Sequence, residues 1–180
     1  MRINAENTAA VAIDFQKRLL PVMHASEDLV RSARILLSGL NALNIPVIVS
    51  RQYPKGIGDT ISEIKEVTTN AIPCEKLTFS CCGSETFNAA LQKLGKKNIL
   101  ICGVEAHVCV LQTALDLLAA GYNVALVTDC IGSRKTHDRE TGIKRAERDG
   151  ALLVTYEQIL FELLGASTAP AFKTISALLR

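Results

Sequence analysis

The chain has 180 residues, 48% of them hydrophobic and 21% charged, which suits one domain with a substantial core and calls for no second one. Twenty basic against eighteen acidic side chains leave a net charge of +2, and neither sign forms a block, so nucleic acid and an anionic membrane surface are not expected partners. The start MRINAENTAAVAID has no basic and apolar leader pattern, no apolar run approaches roughly 18 residues, and the six cysteines read as free thiols, so a cytoplasmic protein is expected.

In chain order, 9-AAVAID-14 reads as a strand, 26-SEDLVRSARILLSGLNALN-44 as a helix and 45-IPVIVS-50 as a second strand. The piece 51-RQYPKGIGDT-60 is irregular, and a loop of that length usually borders a site or an interface. The short run 74-CEKLTF-79 places Lys76 in an edge strand. After it come a helix over 85–95, a strand over 98–103, a helix over 107–121 and a strand over 122–129. A helix over 136–150, a strand over 151–155 and two helical segments, 156–165 and 170–180, complete the chain. Three helices close on Gly95, Gly121 and Gly150, where a left-handed residue ends a helix most easily. The strands are apolar throughout rather than alternating, the mark of strands covered on both faces. Strand and helix in alternation then predict a parallel sheet between two helical layers, an α/β fold.

In such sheets ligands bind beyond the carboxyl ends of the strands, where strand order reverses. The first strand ends in Asp14, the edge strand carries Lys76, and Cys109 follows the 98–103 strand in the first turn of a helix. A helix N-terminus and a nearby ammonium are expected to lower a thiol's pKa toward neutrality. Asp14 is then placed to take the thiol proton and later to activate water, with Lys76 holding the thiolate and a developing oxyanion by charge. Each residue alone has an ordinary reading: Cys109 as a buried helix cysteine, Asp14 as a helix cap, Lys76 as a solvated edge charge. Their meeting at one end of the sheet is what points to chemistry.

The pieces 11-VAIDFQ-16, 52-QYPKG-56, 75-EKLTFS-80, 103-GVEAHVCVLQTALDLLAAGYNV-124 and 127-VTDCIGSR-134 carry a resemblance to the isochorismatase-like cysteine hydrolases, spread over residues 8 to about 165. Within that family the chain resembles the metal-free isochorismatase-domain branch, whose substrates are mostly undefined. The resemblance implies a three-layer α/β/α sandwich of Rossmann-like topology with a six-stranded, mostly parallel sheet, and a triad of Asp14, Lys76 and Cys109. It also implies a cis peptide at Val104-Glu105 that aims the backbone N–H groups of Glu105 and Cys109 at an oxyanion, and assembly into a dimer or larger homo-oligomer.

Nicotinamidase relatives carry a metal site of an aspartate and histidines after the second strand. Here that segment reads RQYPKGIGD, the only histidines are His24, His107 and His137, and no metal or other cofactor is expected. His107 lies two residues from Cys109 on a helix and so does not face it. Cys81-Cys82 reads as packing, and Asp129 as a residue that fixes a loop. Phe15, Gln52, Tyr53 and Phe79 each lie just beyond a strand and are candidates to line the substrate pocket. The expected reaction is hydrolysis of a small amide or carbonyl substrate through a thioacyl intermediate. The alternatives are an isochorismate-type vinyl-ether hydrolysis and an oligomeric binding or scaffold protein with a vestigial triad.

Overall fold

The run TAAVAI forms strand β1 (Thr8–Ile13), and in the computed structural model, which describes residues 2–180, all six of its residues are buried. Successive side chains of a strand point to opposite faces. Ala10 and Ala12 therefore enter one core layer, while Ala9, Val11 and Ile13 enter the other. The strand β4 divides in the same way, Leu100, Cys102 and Val104 against Ile99 and Ile101.

The other strands are β2 (Val47–Gln52), β3 (Ile72–Lys76), β4 (Asn98–Val104), β5 (Asn123–Gly132) and β6 (Leu152–Val154). All pair in parallel, in the order β3-β2-β1-β4-β5-β6. The helices are α1 (Ser26–Ala42), α2 (Pro54–Ile57), α3 (Ser62–Lys65) and α4 (Glu85–Leu94), followed by α5 (Leu111–Ala119), α6 (Thr136–Arg148), α7 (Tyr156–Leu164) and α8 (Phe172–Leu178). Buried side chains of α1, α7 and α8 cover one face of the sheet, and those of α4, α5 and α6 cover the other. The expected three-layer α/β sandwich is the fold observed, with a sheet that is parallel throughout. No helix among the described residues is long and apolar enough to cross a membrane.

Several boundaries differ from the sequence expectation. The strand β2 starts after Pro46 and runs to Gln52, so Arg51 and Gln52 belong to the sheet rather than to the following loop. The strand β3 starts at Ile72 and stops at Lys76, because the chain then turns so that the carbonyls of Thr78 and Phe79 face the Lys76 ammonium. The helices α2 and α3 have four residues each, too few for an apolar period to show in the sequence. The loop that holds them is tied to the sheet by Arg51, which reaches Asp59 and Glu75 at 2.8 Å each, while Lys65 also bonds Asp59. Lys65 and then Arg51 hold the Asp59 carboxyl well below its usual range.

From β1 the chain steps outward to β2 and β3, then returns to β4 on the other side of β1 and steps away through β5 and β6. The reversal leaves a crevice between the carboxyl ends of β1 and β4. There the two backbones nearly touch: Gly103 has φ 126°, and a Cβ on it would lie 2.1 Å from the Ile13 carbonyl oxygen. Gly103→Ala is expected to cost more than about 3 kcal/mol, since strained backbone and a clash with main chain add. Gly95→Ala, at φ 63° with nothing within 4 Å, is expected to cost about 1 kcal/mol. Urea unfolding of the two variants checks the difference; equal losses would mean that the β1–β4 approach has room to relax.

Candidate active site

Asp14 follows β1 directly and adopts φ 55°, in the small left-handed region that aspartate tolerates better than most residues. It is fully buried. One carboxylate oxygen, Oδ1, accepts from the Ser50 hydroxyl at 2.7 Å, and the other, Oδ2, accepts from Lys76 Nζ at 2.8 Å. Both charged side chains of this pair are wholly inaccessible to solvent. Lys76 also donates to Gln52 Oε1 at 2.7 Å and to the Phe79 carbonyl at 3.0 Å. The Thr78 carbonyl adds a longer contact at 3.4 Å, so four acceptors surround the three protons of the ammonium. Burial pulls the lysine's pKa down, but the negative charge of Asp14 leads the opposing effects and the net shift is upward. The site therefore holds a carboxylate and a charged ammonium in direct contact, out of reach of water.

Cys109 lies on a π-helical turn, Ala106–Val110, that leads from β4 into α5. The N–H groups of Val108 and Val110 both converge on the Glu105 carbonyl, at 3.0 and 3.2 Å, and the Val104-Glu105 peptide is cis. Such wide turns recur at functional sites. Glu105 Oε2 accepts from the backbone N–H and from Nε of Arg134, both at 3.1 Å, which fixes the residue that enters the turn. From the other side α6 presses on the turn at Gly142: a Cβ there would lie 2.8 Å from the Ala106 carbonyl oxygen and from His107 Cα. A glycine inside a helical pattern costs about 1 kcal/mol against alanine, and that cost is the signal by which the sequence points to close packing here. Ser133 Oγ accepts the Ala106 N–H at 3.0 Å and contacts His107 Nδ1 at 3.1 Å, so the imidazole is engaged there.

The thiol's ionisation corrects the sequence expectation. Burial pushes Cys109 up to about 12; the Asp14 charge adds to this, and Lys76 only partly opposes it. The ammonium was expected to stabilise a thiolate, but its charge is already balanced by Asp14 at 2.8 Å. The resting site thus carries a neutral thiol beside an ion pair. Cys81 is a second buried thiol near the same charges, pushed up to about 12 by burial, with Lys76 opposing. Its backbone N–H donates to Thr113 Oγ1. All six cysteines are free, and Asp129 accepts the Tyr156 N–H at 3.0 Å, fixing the start of α7.

Of the four expected pocket residues, Phe15 is fully buried in the core layer of α1, on the opposite face of the sheet from the layer that holds Cys109. It does not line the space above the thiol, because the left-handed turn at Asp14 sends the next side chain to the other face. Gln52 is directed inward, but both ends of its amide are engaged, Oε1 by Lys76 and Nε2 by the Leu77 carbonyl at 2.8 Å. Tyr53 and Phe79 lie on the surface beside these elements, 49% and 54% exposed. Tyr53 borders a cavity of about 350 Å³ with Pro54, Lys55, Glu75, Lys76 and Leu77. A larger groove, about 660 Å³, runs along α1 and contains none of the three chemical groups. Sequence reasoning missed Ser50 and Gln16, whose polar side chains give no sign of direction until the strands pair. Among the described residues no three His, Cys, Asp or Glu side chains gather at metal-binding spacing.

Residues 8–158 match the Isochorismatase domain family. The chain is similar to isochorismatase domain-containing protein 1 of Salmo salar, 38% identical over 173 residues; the match covers 96% of this chain and 61% of that protein's length. Among solved structures it is similar to the MAR1 ribonuclease of Caenorhabditis elegans, with a TM-score of 0.94, 37% identity and coverage of 99% of this chain and 92% of that one. It is also similar to YcaC of Pseudomonas aeruginosa in complex with hexane-2,5-diol and covalent acrylamide, with a TM-score of 0.94, 25% identity and coverage of 99% and 90%.

Two outcomes follow from the geometry. Lys76→Met strands a buried carboxylate and is expected to destabilise the fold by about 3–5 kcal/mol, whereas adding Asp14→Asn recovers most of the loss; urea unfolding of single and double variants measures both. Asp14→Asn by itself removes a charge that raises the Cys109 pKa, so at pH 8.5 iodoacetamide should modify Cys109 faster than in the parent chain. Peptide mapping reads the rate, and an unchanged rate would mean that the carboxylate does not act on the thiol.

Proposed function

The chain belongs to the isochorismatase family, and from that premise we propose that it is a cysteine hydrolase acting on a small amide or carbonyl substrate through Asp14, Lys76 and Cys109. The reading takes residues 1–180 as a single hydrolase domain. The observation that carries it is the solvent-free Asp14–Lys76 pair at 2.8 Å, with the Cys109 thiol subject to both charges.

The neutral thiol gives its proton to Asp14 as Sγ attacks the carbonyl carbon, so the nucleophile is formed only when substrate is present. Protonation of Asp14 frees the charge of Lys76, which then faces the negative charge moving onto sulfur and the carbonyl oxygen. Backbone N–H groups of Glu105 and Cys109 hold that oxyanion. Collapse expels the amine, which takes the proton from Asp14, and leaves a thioester on Cys109. Water deprotonated by Asp14 then attacks the thioester and releases the acid, and the proton returns to sulfur. The covalent acrylamide in the YcaC structure supports a reactive nucleophile on this fold. No cofactor takes part in this reading.

The Caenorhabditis relative is described as a ribonuclease. A polymer backbone fits this site poorly, because Asp14, Lys76 and Cys109 are 0%, 4% and 7% exposed and admit only a small group. The six free thiols suit a reducing compartment, and the reading places the protein in the cytoplasm. It also includes assembly into a homo-oligomer, for which Leu77, 76% exposed, and Phe79 offer apolar surface beside the site.

The test is a screen of small primary amides, carbamoyl compounds and a single-stranded RNA, scored by ammonia release and RNA cleavage, with intact-protein mass spectrometry for an acyl adduct. Turnover of an amide with an adduct on Cys109, lost in Cys109→Ala and lowered about 10²–10⁴-fold in Asp14→Asn, is the expected result. RNA cleavage that survives Cys109→Ala, or amide turnover that does, would overturn the assignment.

A further inference from the structure

Each end of the Gln52 amide already has a partner in the protein. Its Oε1 accepts from Lys76 at 2.7 Å and its Nε2 donates to the Leu77 carbonyl at 2.8 Å. The backbone of the same residue is gripped as firmly: its N–H donates to Gln16 Oε1 at 2.7 Å, and its carbonyl accepts from Gln16 Nε2 at 2.9 Å. Gln16 Nε2 also donates to the Gly58 carbonyl at 2.6 Å, and the Gln16 N–H donates to the Asp14 carbonyl at 2.7 Å. Gln16, like Gln52, is buried. A chain of hydrogen bonds thus runs from the loop at Gly58 through Gln16 and Gln52 to the ammonium, and returns through Asp14.

We infer that Gln52 is a positioning residue that acts through Lys76, holding its ammonium in place and protonated during the interval when Asp14 carries the thiol proton. This rests on the hydrolase reading above. At rest Lys76 has one charged acceptor, Asp14 Oδ2, and three neutral ones, Gln52 Oε1, the Phe79 carbonyl and, at 3.4 Å, the Thr78 carbonyl. When Asp14 accepts the proton, its charge no longer stabilises the ammonium, and burial then favours loss of a lysine proton. The neutral acceptors are unchanged by that transfer. With Gln52 in place the charge persists until the oxyanion forms. The charge of the Lys76 ammonium acts on the sulfur in that interval.

The groups facing Lys76 are Asp14 from the end of β1, Gln52 from β2, the carbonyls of Thr78 and Phe79 from its own segment, and the thiols Cys81 and Cys109. Of these, Gln52 supplies the neutral side-chain oxygen that accepts from Lys76, and its removal leaves the other named groups intact. Gln52→Met keeps length and removes the acceptor; Gln52→Asn keeps the amide and draws it back by one carbon.

The experiment is the pH profile of Cys109 modification by iodoacetamide from pH 7 to 10.5, read by peptide mapping. It is run for Gln52→Met and Gln52→Asn in the parent chain, and for Gln52→Met in the Asp14→Asn, Lys76→Met background, where the charges are gone. In the parent chain Gln52→Met is expected to move the profile up by about one pH unit, roughly a tenfold slower reaction at fixed pH, the size set by a hydrogen bond to a charged group. Gln52→Asn should move it in the same direction by less. In the charge-free background Gln52→Met should have no effect. An equal shift in both backgrounds would make Gln52 a structural residue and overturn the inference while leaving the triad standing, and so would an unshifted profile in the parent chain. An Asp14→Asn chain whose Cys109 reacts like the parent's would instead strike the hydrolase reading itself. With a turned-over amide in hand, Gln52→Met should lower kcat about tenfold with KM unchanged; a raised KM at unchanged kcat would return Gln52 to substrate binding.

Discussion

The ion pair between Asp14 and Lys76 joins strands that are not neighbours, because β2 runs between β1 and β3. That spacing makes β2 the element on which the site depends. Residues two apart on a strand share a face, and Ser50 and Gln52 of β2 are such a pair. Ser50 bonds the carboxylate on one side and Gln52 bonds the ammonium on the other. The parallel register sets this up, pairing Ile13 with Ser50 and Gln52 with Lys76. A slip of one residue in β2 would turn both side chains to the opposite face and leave two buried charges with unsatisfied hydrogen bonds. Taking two charges out of water costs several kcal/mol per ion before attraction offsets it, so the pair adds little net stability when complete. Its physical effect is to make alternatives costly, and so to specify one arrangement of three strand ends.

The thiol is placed by a different set of constraints. The chain leaves β4 through a cis peptide into a π-helical turn, held by Glu105 and Arg134 on one side and by Ser133 and α6 on the other. At Gly142 the backbone of α6 lies against that of the turn. The two halves of the site thus belong to opposite sides of the topological reversal, Asp14 after β1 and Cys109 after β4, and they meet only because β1 and β4 lie side by side. Meeting inside a closed crevice decides the ionisation. The same exclusion of water that strengthens the ion pair raises the thiol, and the resting state is a neutral thiol beside a charged couple.

The fold was legible because its signals are local and repeated. Continuous apolar strands, helix-length segments and closing glycines predicted a covered parallel sheet, and the boundaries missed were those fixed by particular side-chain hydrogen bonds or by elements too short to show a period. Lys76 ends β3 early because the ammonium takes carbonyls of the segment after it, and Gln52 enters the sheet because Gln16 and Lys76 bind it. The candidate site was half legible: strand ends pointed to Asp14, Lys76 and Cys109. Phe15 lies in the opposite core layer from Cys109, and the Gln52 amide has a partner at each end; nothing local in the sequence reveals the turn at Asp14 or those partners.

By itself the sequence determined the alternation of strands and helices, and it singled out the end of the sheet where Asp14, Lys76 and Cys109 gather as the candidate site. Those properties depend on the order of apolar and polar residues along the chain, and each is readable within a window of ten or twenty positions. Which polar side chains support the charges, and whether the thiol is ionised at rest, only the tertiary structure decided. Both depend on how much water remains and on neighbours 24 to 62 positions away in sequence, and exclusion of water is a property of the packed molecule that no segment has alone.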